Sequence, residues 1–227
     1  MSETLGTVFI TDDDADSRES LEYLLKTCGL QTRAFASAAE FLAAVTVHEA
    51  GCLVSDVRMP EMDGLELFEL LLSRGYILPV IFITAFADVP MAVRAFKSGA
   101  VEFVEKPFEA RSMLERVQKA LDQDARRRKE IADWIEIEER VASLTDKERE
   151  TLTFVRNGAP NKSIATQLNI TERAVEMRRA SLMKKLHTHS LAELIRLVTK
   201  HEINSELRSS VFCDSSCGSR RTSIPAD

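Results

Sequence analysis

Three short runs of the chain are apolar on consecutive rather than alternate residues: Thr7–Thr11, Cys52–Ser55 and Pro79–Thr84. A strand with only one buried face alternates; a continuous run marks a strand covered on both faces, as in parallel sheets. Helical spacing fills the intervals. Leu21, Leu24, Leu25 and Cys28 form one stripe, closed by Gly29, and Ala38–Val47 carries Phe41, Leu42 and Val45. Leu65–Ser73 is a third helix and Asp88–Ser98, stopped by Gly99, a fourth; a fifth starts near Arg111. Leu30–Phe35 and Val101–Val104 complete a set of five strands. Strands alternating with helices predict an α/β fold: a doubly wound, five-stranded parallel sheet with helices on both faces.

Such a sheet gathers its chemistry at the carboxyl ends of its strands. The first strand delivers Asp12 and Asp13 there, the third Asp56, the fourth Thr84 and the fifth Lys106. Each has a plain structural alternative. Asp12–Asp14 suits a helix N-terminus, Asp56 can cap a turn, and Lys106 can be a solvated lysine. Their joint arrival at one edge is what points to function. Three carboxylates together call for a cation, and Mg²⁺ takes oxygen donors, with one or two carboxylates and retained waters. Asp56 can then act as a phosphoryl-accepting nucleophile. Lys106 supplies a countercharge, and Thr84 a hydroxyl for a phosphoryl oxygen. Cys28 and Cys52 read as small core residues. Cys213 and Cys217, a pair in a Ser-containing tail, are too few for zinc.

The charge is divided. Residues 1–121 hold 11 Lys and Arg against 19 Asp and Glu, whereas residues 143–208 hold 12 against 8. Only the second part is suited to a polyanion. In it, Thr145 and Glu148 are spaced as a capping box, and Asn157-Gly158 ends that helix. Lys162–Leu168 is a short helix, Leu168-Asn169-Ile170 a tight turn, and Thr171 caps a third helix running to about Leu186. Ser190 with Glu193 opens a fourth. The pattern predicts an all-α, four-helix, helix-turn-helix module. At 100° per residue, Val175, Leu182 and Leu186 share the core face of the third helix, and Arg173, Met177, Ala180 and Lys184 lie opposite. Recognition helices read bases with their N-terminal residues, so Glu176, Met177 and Ala180 fall to the groove floor. Arg173, Arg178, Lys184 and Lys185 fall to phosphates.

Residues 122–142 form a helix-forming linker without Gly or Pro, either solvated or paired between protomers as a short coiled coil. From Ser205 the chain is poor in apolar residues and disorder is expected. No apolar run reaches the roughly 18 residues of a membrane span, and Met1-Ser2-Glu3-Thr4 lacks the order of a signal peptide. A cytoplasmic protein is expected.

Residues 5–121 resemble the receiver domain of bacterial two-component response regulators, a flavodoxin-like fold. Asp12-Asp13, Ser55-Asp56-Val57-Arg58-Met59-Pro60, Asp63-Gly64, Thr84-Ala85 and Lys106-Pro107-Phe108 carry that resemblance. It implies that Asp56 is phosphorylated by a sensor histidine kinase. It implies Mg²⁺ (or Mn²⁺) on Asp13, Asp56 and the Arg58 carbonyl, with Asp12 acting through water. It also implies a switch through Thr84 and Phe103, a cis Lys106-Pro107 bond, and a phosphate lifetime influenced by Arg58 and Phe86. Residues 143–200, within a domain expected at 143–204, resemble the LuxR-type output domain of the NarL/FixJ subfamily. This rests on Leu144-Thr145, Glu148-Arg149-Glu150, Asn161-Lys162-Ser163-Ile164-Ala165 and Thr171–Glu176. Ala174 stands where Thr is frequent and Arg178 where His is frequent. Together the two resemblances imply a transcription factor rather than an enzyme, apart from slow self-dephosphorylation. Its implied partners are the kinase, double-stranded promoter DNA, a second copy of itself on phosphorylation, and RNA polymerase, with no membrane. Asp12, Asp14, Thr84 and Lys106 also fit a haloacid-dehalogenase-type phosphatase superficially. That reading lacks a later acidic motif and leaves the basic module unexplained.

Overall fold

The computed structural model describes residues 6–85 and 102–201. The Asp88–Ser98 helix, Phe86, Val101 and the tail with Cys213 and Cys217 lie outside them. Two compact units divide the chain between Glu130 and Ile131.

In the first unit, β1 (Thr7–Thr11), β2 (Gln31–Phe35), β3 (Gly51–Asp56), β4 (Val80–Thr84) and β5 (Glu102–Glu105) form one sheet. The order is β2-β1-β3-β4-β5, and every pairing is parallel. The connection reverses direction between β1 and β3, which opens a crevice beyond their carboxyl ends. Every residue of β3 and β4 is buried, as their continuous apolar runs require.

Helices α1 (Ala15–Thr27), α2 (Ala38–Ala44) and α3 (Gly64–Ser73) precede a 33-residue α4 (Ala110–Ala142). One face of the sheet packs Phe9, Leu53 and Phe82 against Phe41 of α2 and Leu67, Phe68 and Leu71 of α3. The other packs Ile10, Val54 and Ile83 against Leu21 and Leu25 of α1 and Met113, Val117 and Leu121 of α4. α2 ends at Ala44, short of the Val47 expected. Cys28 caps the end of α1 and is exposed, so the core role read for it does not hold; Cys52 is buried. The helix that opens the linker does not break at residue 121.

The second unit holds α5 (Asp146–Arg156), α6 (Asn161–Leu168) and α7 (Glu172–Lys185), and residues 191–201 form a further helix, α8. The Thr145–Glu148 capping box forms in full. Asn169 takes the left-handed conformation (φ 54°) that makes the turn between α6 and α7 tight. At α8 the box is displaced by one residue: Glu193 N donates to Ser190 Oγ, but the Glu193 carboxylate accepts from His189 N rather than from Ser190. Among the described residues no helix is long and apolar enough to cross a membrane.

Candidate functional site

β1 and β3 run side by side, with Thr11 opposite Ser55, so the residues after each strand meet. Asp12 is 1% exposed and survives there because both of its carboxylate oxygens accept hydrogen bonds. Oδ1 accepts from Asp14 N at 3.0 Å, and Oδ2 accepts from Ser17 Oγ at 2.7 Å and Lys106 Nζ at 2.8 Å. Arg18 Nη1 donates to the Asp12 carbonyl at 2.6 Å. Lys106 Nζ also reaches Asp56 Oδ1 at 2.8 Å. One ammonium therefore bridges carboxylates 94 and 50 residues away in sequence. Asp56 Oδ2 accepts from Arg58 N at 2.7 Å. A buried carboxylate left without such donors costs several kcal/mol.

Burial pushes Asp56 above the usual carboxylate range, although Lys106 and the Arg58 amide pull the other way. Burial likewise works against a charged Lys106, but its hydrogen bonds to Asp12 and Asp56 outweigh it and raise the ammonium's pKa. Thr84 ends β4 and is fully buried, with its carbonyl accepting from Lys106 N at 2.7 Å. The Lys106-Pro107 bond is cis. Phe103 on β5 is partly buried against Phe82, ring centroids 6.2 Å apart. Asp13 is exposed. Asp14, beside it, is the N-cap of α1, accepting from Asp16 N.

The close approach of α3 also shapes the pocket. Gly64 opens α3 so near β3 that a Cβ there would lie 2.3 Å from the Asp56 carbonyl oxygen. Thr11 Oγ1 donates to Ser55 Oγ, which donates to that same carbonyl. Ser17, Arg18 and the Thr11–Ser55 hydrogen bond carry no local sequence signal of their own. Ser17 lies five residues beyond Asp12, in the first turn of α1, a spacing that carries a signal only once Asp12 is known to be buried.

In the second unit α7 divides as the helical wheel predicts. Val175, Leu182 and Leu186 are fully buried, and Met177 is 68% exposed. Arg173, Glu176, Ala180 and Lys184 are exposed with it. Arg178 and Lys185 differ from the rest. Arg178 Nη1 lies 3.4 Å from Thr151 Oγ1 and leans on α5. Lys185 Nζ pairs with Glu148 at 2.7 Å and donates to the Ser143 carbonyl at 3.1 Å. Lys185, expected at a phosphate, keeps a third of its side chain exposed and shares its charge inside the module with a buried Glu148, a partner that could not be read from spacing alone. Lys185, Ser181 and the Thr145 amide hold the Glu148 carboxyl down at about 2.

A buried carboxylate gripped by a lysine at the switch point of a doubly wound sheet, joined to an exposed basic helix in a helix-turn-helix, defines a two-part signalling protein. Comparison with known proteins gives the family. Residues 8–118 match the response regulator receiver domain, and residues 142–198 match the bacterial regulatory proteins of the luxR family. The transcriptional regulatory protein FixJ of Azorhizobium caulinodans is 43% identical over 197 residues, spanning 87% of this chain and 93% of its own. The response regulator protein TodT of Pseudomonas putida (strain F1) is 38% identical over 200 residues, spanning 88% of each. Among solved structures, the response regulator StyR superposes with a TM-score of 0.80 at 42% identity, over 86% of this chain and 98% of StyR. Full-length FixJ from B. japonicum gives 0.55 at 39% identity, over 88% and 99%. The chain belongs to the NarL/FixJ-type response regulators and is a transcription regulator controlled by phosphorylation. It is a signalling protein rather than a classical enzyme. Its receiver implies a histidine kinase partner and its luxR-type domain implies DNA binding.

Proposed function

We propose that Asp56 is the phosphoacceptor, and that its modification controls pairing of the chain and sequence-specific DNA binding. The observation that carries this is the Lys106 bridge between Asp12 and Asp56. It leaves a nucleophilic carboxylate beside a cation that can follow a phosphoryl group. An Asp56 carboxylate oxygen attacks the phosphorus of a kinase phosphohistidine, forming an acyl phosphate. The P–N bond breaks, and the imidazole leaves with the electron pair and takes a proton from water. Lys106 then turns from the Asp56 carboxylate to a phosphoryl oxygen, and Thr84 donates to another. Phe103, against Phe82, fills the space behind Thr84. Attack of water on the acyl phosphate would slowly reset the switch.

The donors present fit Mg²⁺ (or Mn²⁺). They are hard oxygens, from Asp13, Asp56 and the Arg58 carbonyl, and such a cation uses few carboxylates and keeps waters. Both Asp12 oxygens already take protein donors, which supports a water-mediated share for Asp12. When bound, the cation lowers the electrostatic barrier between an anionic donor and Asp56.

The division that supports this reading is a receiver at 5–121, a helical linker at 122–142, an output domain at 143–204 and a tail at 205–227. Exposed Met177, Glu176 and Ala180 suit base edges, and Arg173 and Lys184 suit phosphates; Arg178 serves as a weaker phosphate contact and Lys185 holds the module together. A phosphorylated pair would span two half-sites about one helical turn apart, and RNA polymerase would be the final partner, in the cytoplasm. Phosphate uptake from a small phosphodonor tests the acceptor: wild type incorporates it and Asp56→Asn does not. Equal uptake by Asp56→Asn sinks the assignment.

A further inference from the structure

We propose that Asp124 and Arg128 are positioning residues: they clasp the linker helix to the base of the phosphoacceptor strand, and phosphorylation reaches DNA binding through a helix so held. This rests on the reading of Asp56 above. Both residues lie beyond residue 118, where the receiver match ends, in a stretch the sequence presents as free linker. Yet Asp124 is 1% exposed. Its Oδ2 accepts from Gly51 N at 2.9 Å and from Arg128 Nε at 2.7 Å. Arg128 goes on to donate through Nη1 to the His48 carbonyl at 3.1 Å, and through Nη2 to the Glu49 carbonyl. A guanidinium thus closes α4 over the loop that leads into β3, reaching three acceptors in the forked geometry that lysine cannot supply.

The place of the clasp gives it meaning. β3 runs from Gly51, whose amide Asp124 holds, to Asp56. It is six residues long, about 17 Å at the usual rise, buried throughout and hydrogen-bonded on both edges to β1 and β4. Gly51 has φ +149°, and a Cβ there would fall 1.8 Å from the Thr7 carbonyl oxygen. The clasped end of β3 therefore leaves no room for a side chain between it and β1. One stiff strand has the phosphoacceptor at one end and the linker helix fastened to the other.

Stability alone explains the clasp poorly. Asp124 Oδ1 is buried without a hydrogen-bond partner, and burial and the nearby Asp124 charge together push the Cys52 thiol well above its ordinary value. Apolar residues of similar size would avoid both costs. A buried charge kept at such cost is better suited to fixing the phase and direction in which α4 leaves the receiver.

The test uses the full chain as wild type, Asp124→Asn, Arg128→Gln and Arg128→Lys, because Arg128 is partly exposed and its variants keep the core intact. Hydrogen exchange is read for the Gly51 amide and for residues 122–135, and DNA affinity is read on a duplex selected from a random pool, before and after treatment with a small phosphodonor. The expectation is that Asp124→Asn and Arg128→Gln take up phosphate like wild type. Exchange at both places should rise about tenfold, and the gain in DNA affinity on phosphorylation should fall by about tenfold, a usual size for coupling between sites. Arg128→Lys should recover part of that gain. Wild-type protection in Arg128→Gln overturns the clasp. An undiminished affinity gain overturns its role in coupling, as does failure of Arg128→Gln to accept phosphate. A wrong acceptor would show separately, as equal uptake by Asp56→Asn.

Discussion

Glu148 and Lys106 each anchor one unit by charge, and each can be tested by a single substitution. Glu148 has its carboxyl lowered from 4.5 to about 2. A group depressed on folding contributes stability above its unfolded value and loses it as the pH falls through the folded one. The second unit should therefore be most stable above pH 4.5 and weaken towards pH 2. Glu148→Gln should cost about 1.5–3 kcal/mol at neutral pH, the range of hydrogen bonds to a charged group. That gap should close in acid. Trp134, the only tryptophan, lies in this unit and gives the unfolding signal by fluorescence; an equal gap at pH 7 and pH 3 would contradict the assignment. Lys106→Met removes the shared partner of Asp12 and Asp56. Discounted for the partial exposure of Lys106, the expected loss is about 2 kcal/mol, with millimolar Mg²⁺ restoring part of it. Denaturation followed by circular dichroism checks both statements, and an unshifted midpoint would refute them.

Elements meet their neighbours at positions that tolerate little. The start of α3 fits against β3 only because Gly64 has no Cβ. Gly64→Ala drives a methyl towards the Asp56 carbonyl, so α3 must retreat or the strand end must move. The cost should be about 1–3 kcal/mol, typical of overpacking, and phosphate uptake at Asp56 should slow with it. Measuring stability and uptake on the same variant separates this from a surface change, which would move neither. In the second unit the matching element is α7. Its apolar face is buried and its polar face open, and Thr171 caps its start, with Oγ1 accepting from Ala174 N at 3.2 Å.

For the whole molecule, acidic and basic halves lead to one expectation about salt. Duplex binding should weaken with rising salt as phosphate contacts release counterions. Lys184→Ala should lower affinity evenly across sequences and reduce the log–log salt slope by about one. Met177→Ala should instead alter sequence preference and leave the slope alone. A binding titration at several salt concentrations distinguishes them. The reverse pattern would place Met177 outside the groove.

The sequence by itself determined the architecture. Continuous apolar runs can be satisfied only by strands buried on both faces, and Asp12, Asp56, Thr84 and Lys106 follow those runs at positions a parallel sheet brings to one edge. It also determined which face of α7 is buried, since helical periodicity is local. What only the tertiary structure decided concerns partners distant in the chain. Nothing in local spacing shows that Lys185 is neutralised by Glu148, or that Ser17 shares Asp12 with Lys106. Nor does it show that Asp124, in a run of charges that reads as solvated linker, is buried on the amide of Gly51, 73 residues away. A charged side chain has the same local sequence whether water or a distant backbone group satisfies it. Only the packing of the sheet against α4 decides which, because it removes the water.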